Sequence, residues 1–356
     1  MAYTTIDNPE LFFQAKTYTG TGSSNAITLD GSENMQPDWV WIKHRNEANW
    51  HNLYDSVRGV TKRLFSNNSN LEETQSEGLS AFGSDGFTVG SNVDVNKSSG
   101  SYVAWNWKAG TSFTNDASAT GVGTIDSSGS TNQTAGFSIV SWTGTGSAGT
   151  IAHNLGSVPK WYLLKVRSGA TNNWGVYHIQ SNATNPEQYA LYLDQNSSAT
   201  DDSGLTNDTA PTSTVFSVTT GNYGNVSGRN YIGYFFSEVK GYSKFGFYNG
   251  NANANGPYVH VGFKPAWVMV KATSASKSWY MWDNKRSTSG FNLVDDQLLA
   301  DTADTEFNGS DIDIFSNGFK FRSTGSGEQG NGTRYMYMAF AESPFVNSNG
   351  VPNNAR

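Results

Sequence analysis

The chain contains no cysteine, only nine prolines in 356 residues, and little charge: Asp, Glu, Lys and Arg together make up 15%. Without cysteine there is no disulfide and no thiolate zinc site. The 23 basic residues form no run, and 30 acidic ones leave a net charge of −7. Such a chain has no means of neutralising a phosphate backbone, so nucleic acid is excluded as a partner. No apolar stretch approaches the roughly 20 residues of a membrane-spanning helix, so membrane insertion is not expected. The opening Met1-Ala-Tyr-Thr-Thr-Ile-Asp7 lacks the basic and apolar regions of a secretory signal. Leucine is scarce too, which argues against helices. What is abundant is aromatic: 20 Phe, 17 Tyr and 11 Trp, set among 38 Gly and many Ser, Thr and Asn. That is a composition of strands joined by turns.

One pattern organises the chain. Pro37-Asp-Trp39-Val-Trp-Ile-Lys43 returns as Pro159-Lys-Trp161-Tyr-Leu-Leu-Lys165 and as Pro265-Ala-Trp267-Val-Met-Val-Lys271. Other landmarks keep the same order around it. Tyr18-Thr-Gly20, Trp142-Thr-Gly144 and Tyr248-Asn-Gly250 precede the three copies. Trp50, Trp174 and Trp279 follow, each shortly before Asp55, His178 and Asp283. Aromatic runs starting at Tyr102, Tyr231 and Tyr335 close the set. An ordered set recurring three times marks an internal repeat. Each Pro-x-Trp run is apolar at successive positions, as in a strand buried on both faces. Trp39, Trp161 and Trp267 are therefore expected in the core, with Lys43, Lys165 and Lys271 marking where each strand emerges to solvent.

The expected fold is all-β, with three homologous antiparallel β-sandwich, jelly-roll-like repeats in one chain. The boundaries are an N-terminal docking segment 1–14, repeats 15–109, 134–240 and 241–346, and a tail 347–356. Residues 110–133, rich in Ser, Thr and Gly, read as a linker with one short strand over 121–125. Helical turns are expected only around 71–75 and 294–300.

Chemistry-bearing patterns are few. His44, His51, His153, His178 and His260 show no metal-ligand spacing, and no metal site is expected. No Gly-x-Ser-x-Gly elbow and no phosphate loop is present. Asp55, Asp85, Glu238, Asp283, Asp311, Asp313 and Glu342 supply carboxylates for a glycosidase pair. Strand-end carboxylates meeting a Lys or Arg is the plainer reading. Asp201, Asp202, Asp311 and Asp313 lack the calcium-loop pattern. Catalytic residues and cofactors are expected to be absent. Tyr223, Tyr242 and Tyr258 sit in Gly/Asn/Ser loops of the kind used for adaptable recognition, and are the binding candidates.

Asp7-Asn-Pro-Glu10, Tyr18-Thr-Gly-Thr-Gly22, Gln36-Pro37-Asp38-Trp39, Asp55-Ser-Val-Arg-Gly-Val-Thr-Lys62 and Ala339-Phe-Ala-Glu342-Ser-Pro-Phe345, with Ala355-Arg356 at the end, together resemble uncharacterised virion proteins of tailed, mainly marine, bacteriophages. The resemblance spans essentially the whole chain. It implies a virion component, made in the host cytoplasm and extracellular in the released particle. The expected role is a tail appendage that attaches to the host surface. The alternatives are a head decoration or capsid fibre with a purely structural role, and a glycan-degrading tailspike-like enzyme. Implied partners are other virion proteins and a host-surface glycan or protein, with several copies on the particle. The family supplies no catalytic or binding residues to carry over.

Overall fold

Aromatic and β-branched residues in short runs between glycine-rich turns leave little choice but strands, and strands are what form. The computed structural model describes residues 2–287 and 292–353, apart from the side chains of Ser310 and Asp311. A first segment carries β1 (Phe13–Thr19), β2 (Asn25–Thr28), β3 (Trp39–His44), β4 (Asn52–Asp55), β5 (Lys62–Arg63), β6 (Glu73–Thr74), β7 (Leu79–Gly83), β8 (Gly86–Val89) and β9 (Ser101–Trp107). Then come β10 (Thr111–Asn115) and β11 (Ser127–Asn132). A second segment carries β12 (Phe137–Thr143), β13 (Gly149–Ala152), β14 (Trp161–Val166), β15 (Gly175–His178), β16 (Tyr189–Tyr192), β17 (Thr200–Asp201), β18 (Val215–Val218) and β19 (Asn230–Phe236). A third carries β20 (Ser243–Asn249), β21 (Tyr258–His260), β22 (Phe263–Ala272), β23 (Trp279–Asp283), β24 (Leu293–Leu299), β25 (Phe307–Phe315), β26 (Gly318–Phe321) and β27 (Arg334–Pro344).

The fold is all-β, built from several antiparallel sheets. One pairing scheme occurs in each segment. The orders β1-β9-β3-β4, β12-β19-β14-β15 and β20-β27-β22-β23 place the Pro-x-Trp strand beside the closing aromatic strand. The second strand of each segment pairs elsewhere, as β2-β8, β13-β18 and β21-β26. In the third segment all eight strands join one sheet that folds back on itself.

The sequence expectation for the Pro-x-Trp strand is met: every residue of β3 and β14 is buried, and Trp39, Trp161 and Trp267 are each 0% exposed. Alternate residues serve two cores. Val40 and Ile42 pack within the first segment and Tyr162 and Leu164 within the second. Trp39, Trp41, Trp161 and Leu163 face a central core shared with the third segment. At its middle Trp107, Phe236 and Phe340, the register partners of the three repeated Trp, meet pairwise at ring separations of 6.3, 5.6 and 5.5 Å.

The contacts run in a cycle. Glu72 N–H donates to Arg167 O, Ala199 N–H to Thr273 O, and Glu306 N–H to Arg45 O, so the first segment meets the second, the second the third, and the third the first.

Several expectations are corrected. Residues 110–133 are not a linker: β10 and β11 form a hairpin added to the edge of β12. Residues 121–125 are not a strand; Gly121 instead ends a helical turn over Ala117–Thr120 in the left-handed conformation. The region 294–300 is strand β24, not a helical turn. A bulge between Val294 and Asp296 puts Val294, Gln297 and Leu298 inward, which mimics helical spacing. Around 71–75, Glu73 and Thr74 form the short strand β6. The N-terminal segment docks on this chain itself: Tyr3 Oη donates to Gly262 O and Thr4 Oγ1 to Lys240 O, each at 2.8 Å, and Ile6 enters the central core.

Candidate functional site

The residues singled out in the sequence are mostly used by the fold. Tyr242 is 1% exposed, with its ring against Phe12 and Phe340 in the central core, which removes it from any surface. Tyr223 is half-buried on Tyr192. Tyr258 is exposed on strand β21, its hydroxyl bonded to Asn317. The three do not form one surface.

Each described carboxylate of the glycosidase set has a partner. Asp55 is fully buried against Arg58 and accepts a 2.6 Å hydrogen bond from Tyr234 Oη of the second segment. Asp283 is buried against Arg286 and accepts from Trp105 Nε1 of the first segment at 2.9 Å. Glu238 pairs with Lys244 and Glu342 with Lys264, as the plainer reading expected. Asp85 accepts the Met35 N–H, and Asp313 pairs with Arg322. Asp202 caps the Ser203–Thr206 turn and accepts from Tyr192 Oη. Asp201 is exposed in β17, and the side chain of Asp311 lies outside the described residues. Among the described residues no group of three or more His, Asp or Glu is placed to hold a metal ion, and no helix is long and apolar enough to cross a membrane.

Three of the five histidines serve the main chain. His51, His153 and His178 set Nε2 against the carbonyls of Leu299, Thr212 and Tyr337. Burial lowers their basicity, to about 4 for His153 and about 3 for His178. His44 stacks on Tyr102, and His260 is exposed.

Two readings need correction. Trp50 is not the equivalent of Trp174 and Trp279: it is 42% exposed while they are buried. The register of β4, β15 and β23 aligns Asp55, His178 and Asp283, so the residue four earlier is His51, Trp174 or Trp279. All three do one job. Trp174 Nε1 donates to Phe65 O, Trp279 Nε1 to Tyr192 O, and the His51 ring faces Leu299 O, each across a segment boundary. Lys43, Lys165 and Lys271 do not emerge to solvent; all three are 0% exposed. They share the face of the repeated Trp, and their amino groups donate to main-chain carbonyls, including those of Glu47, Asn172 and Asn196. Burial lowers the amino groups to about 8, 8 and 7, respectively.

One open groove, of about 400 Å³, is lined by Arg45 and Glu306 where the third segment meets the first; others lie around the β10–β11 hairpin. Both faces of this hairpin carry hydroxyls, because Thr111 pairs with Thr131, Ser112 with Ser130 and Thr114 with Ser128. On one face an inner groove of about 330 Å³ runs between the hairpin and the turns at 152–156 and 213–214. Phe113 forms part of its wall, with Asn115, Thr120, Asn154, Ser213 and Thr214 among the polar groups. Asn115 is fixed between Thr120 Oγ1 and Val122 O. Gln133 and Asn154 continue the wall into an outer groove of about 570 Å³ that ends near Lys108. On the opposite face a polar groove of about 550 Å³ reaches from Thr114 and Ser128 to Thr145.

The hairpin was missed in the sequence because its strands show no apolar alternation. Its one signal is Asp116, whose side chain accepts the Ala119 N–H and caps the turn between the strands.

No curated protein and no solved structure matches the chain. A family model described as a domain of unknown function, DUF7483, matches residues 8–344, and the chain belongs to that family.

Proposed function

We propose that this protein is a non-enzymatic virion component of a tailed bacteriophage, and that its role is attachment by a tail appendage to the host surface. On this reading the chain is three copies of one jelly-roll-like β-sandwich set about a pseudo-three-fold axis, so one chain supplies what a trimer of single units would. The observation that carries the binding role is the division of labour among residues. Most candidate acid–base side chains are held in ion pairs and main-chain hydrogen bonds, while open grooves, the inner one free of charged residues, lie around the β10–β11 hairpin. That division fits a scaffold with a recognition face. Several copies on one particle would add avidity to weak single contacts. The sequence resemblance supports the virion setting.

Immunogold labelling or cryo-electron microscopy of intact particles tests this. Density or label on the tail is the expected result. Label on the capsid overturns it in favour of a head decoration, and release of products from host polysaccharide by the purified protein overturns the non-enzymatic reading.

A further inference from the structure

The four-strand order around the Pro-x-Trp strand and the pairing of the second strand recur in all three segments, and so do the buried Trp and the closing aromatic strand. Such features are accounted for by folding. The β10–β11 hairpin has no counterpart: β1 and β20, which hold the place of β12, each pair with one neighbour only. A feature present once, unneeded by the two equivalent sheets and bordered by grooves on both faces, calls for another role.

We infer that the inner groove between this hairpin and the turns at 152–156 and 213–214 binds a short, uncharged saccharide. This rests on the surface-attachment reading and names its ligand class. The volume of about 330 Å³ lies at the lower end of ordinary ligand sites, enough for one or two sugar rings. Its wall offers two things a sugar needs together. Phe113, on the groove side of β10, presents part of a ring for the apolar C–H face of a pyranose. Around it stand hydroxyls and carboxamides, which can donate to and accept from sugar hydroxyls. Thr120, Ser213 and Thr214 are exposed there. The Asn154 carboxamide has no partner within the chain among the described residues, and its backbone sits in the left-handed region at φ 56°. That turn is held by its carbonyl, which accepts from Thr131 Oγ1 and Gln133 Nε2.

Charge sets the specificity. No Asp, Glu, Lys or Arg lines the inner groove. A carboxylated, sulfated or phosphorylated sugar would lose hydration there with no counter-charge to replace it. Lys108 stands only at the far end of the outer groove.

The test uses the purified full chain and a panel of neutral hexose di- and trisaccharides beside sialylated and sulfated ones, with binding read by ligand-observed NMR and calorimetry. Neutral saccharides should bind in preference to acidic ones. Thr214→Trp, which fills the groove from an exposed position, should weaken binding at least about tenfold with an unchanged melting temperature. Phe113→Ala should weaken it similarly. Four results overturn the proposal: no neutral saccharide bound at about 10 mM, preference for acidic sugars, binding indifferent to Thr214→Trp, or binding only of peptides that add a strand to β10. Failure here with tail labelling intact removes the saccharide site alone. Saccharide binding together with capsid labelling removes the tail-attachment reading alone.

Discussion

At the scale of single residues, position in the repeat governs more than residue type. His51 stands where Trp174 and Trp279 stand and makes the same cross-boundary contact through a ring nitrogen. The repeated glycine of the Tyr/Trp-x-Gly motif is equally positional: a Cβ on Gly20 or Gly144 would lie 2.1 or 2.2 Å from a backbone oxygen of the opposite loop. The three lysines carry a testable consequence. Burial holds Lys271 to about 7 against 10.5 for the free side chain, so between those values the unfolded chain binds more protons than the folded one. The destabilisation from Lys271 is thus fully present below about pH 7 and relieved as pH rises toward 10. Urea midpoints of the wild type should rise relative to those of Lys271→Met between pH 7 and 9. A difference that stays flat or runs the other way refutes the assignment.

At the scale of elements, the joints differ in chemistry while sharing geometry. Glu72 links Arg58 to Arg167 where the first segment meets the second, and Glu306 links Arg286 to Arg45 where the third meets the first. The remaining joint uses contacts such as those of His178, Ala199 and Thr273, and Arg334 with Gln180, with no such ion-pair network among the described residues. A buried charge left without its partner costs more than replacing the pair. Arg286→Met should therefore destabilise by about 3–5 kcal/mol, and Asp283→Asn added to it should recover much of that loss, as read from chemical denaturation. If the double variant is no better than the single one, the pair is not the source of the cost. The hairpin behaves differently. Replacing residues 111–132 by a short Gly/Ser connection should leave a β-type circular dichroism spectrum and a cooperative melt, since β1 and β20 already serve as edge strands. Loss of the cooperative melt would show that β10 and β11 belong to the framework.

At the scale of the whole molecule, the shared aromatic core decides how the chain unfolds. Trp39 lies on Tyr234, Trp161 near Phe245 and Trp267 near Trp107, each reaching into the following segment of the cycle. A sequence view of self-contained repeats leads one to expect each unit to melt by itself. The central core argues for a single transition, because no segment can lose its inner face without exposing its neighbours'. Trp161→Ala should cost about 3–5 kcal/mol and shift the whole calorimetric transition. A separate early transition covering about a third of the enthalpy would restore the independent-unit view.

The amino-acid order alone determined the fold class, the three-fold recurrence and the burial of Trp39, Trp161 and Trp267, because alternation and turn chemistry are local and an ordered set of landmarks survives substitution. The pairing of Glu238 and Glu342 with lysines was legible for the same reason, since both end an equivalent strand. The hairpin was not: Thr111-Ser-Phe-Thr-Asn115 and Ser127-Ser-Gly-Ser-Thr-Asn132 become strands only because β12 offers them a free edge. Nor was the fate of Lys43, Lys165 and Lys271. A lysine ending an apolar run looks like a surface marker until tertiary packing covers it, while main-chain carbonyls accept from its amino group. Most of those carbonyls, His44, Glu47, Asn172 and Lys277, lie within seven residues of their lysine, and only Asn196 reaches Lys271 from another segment; it is the cover, not the partners, that the sequence could not show.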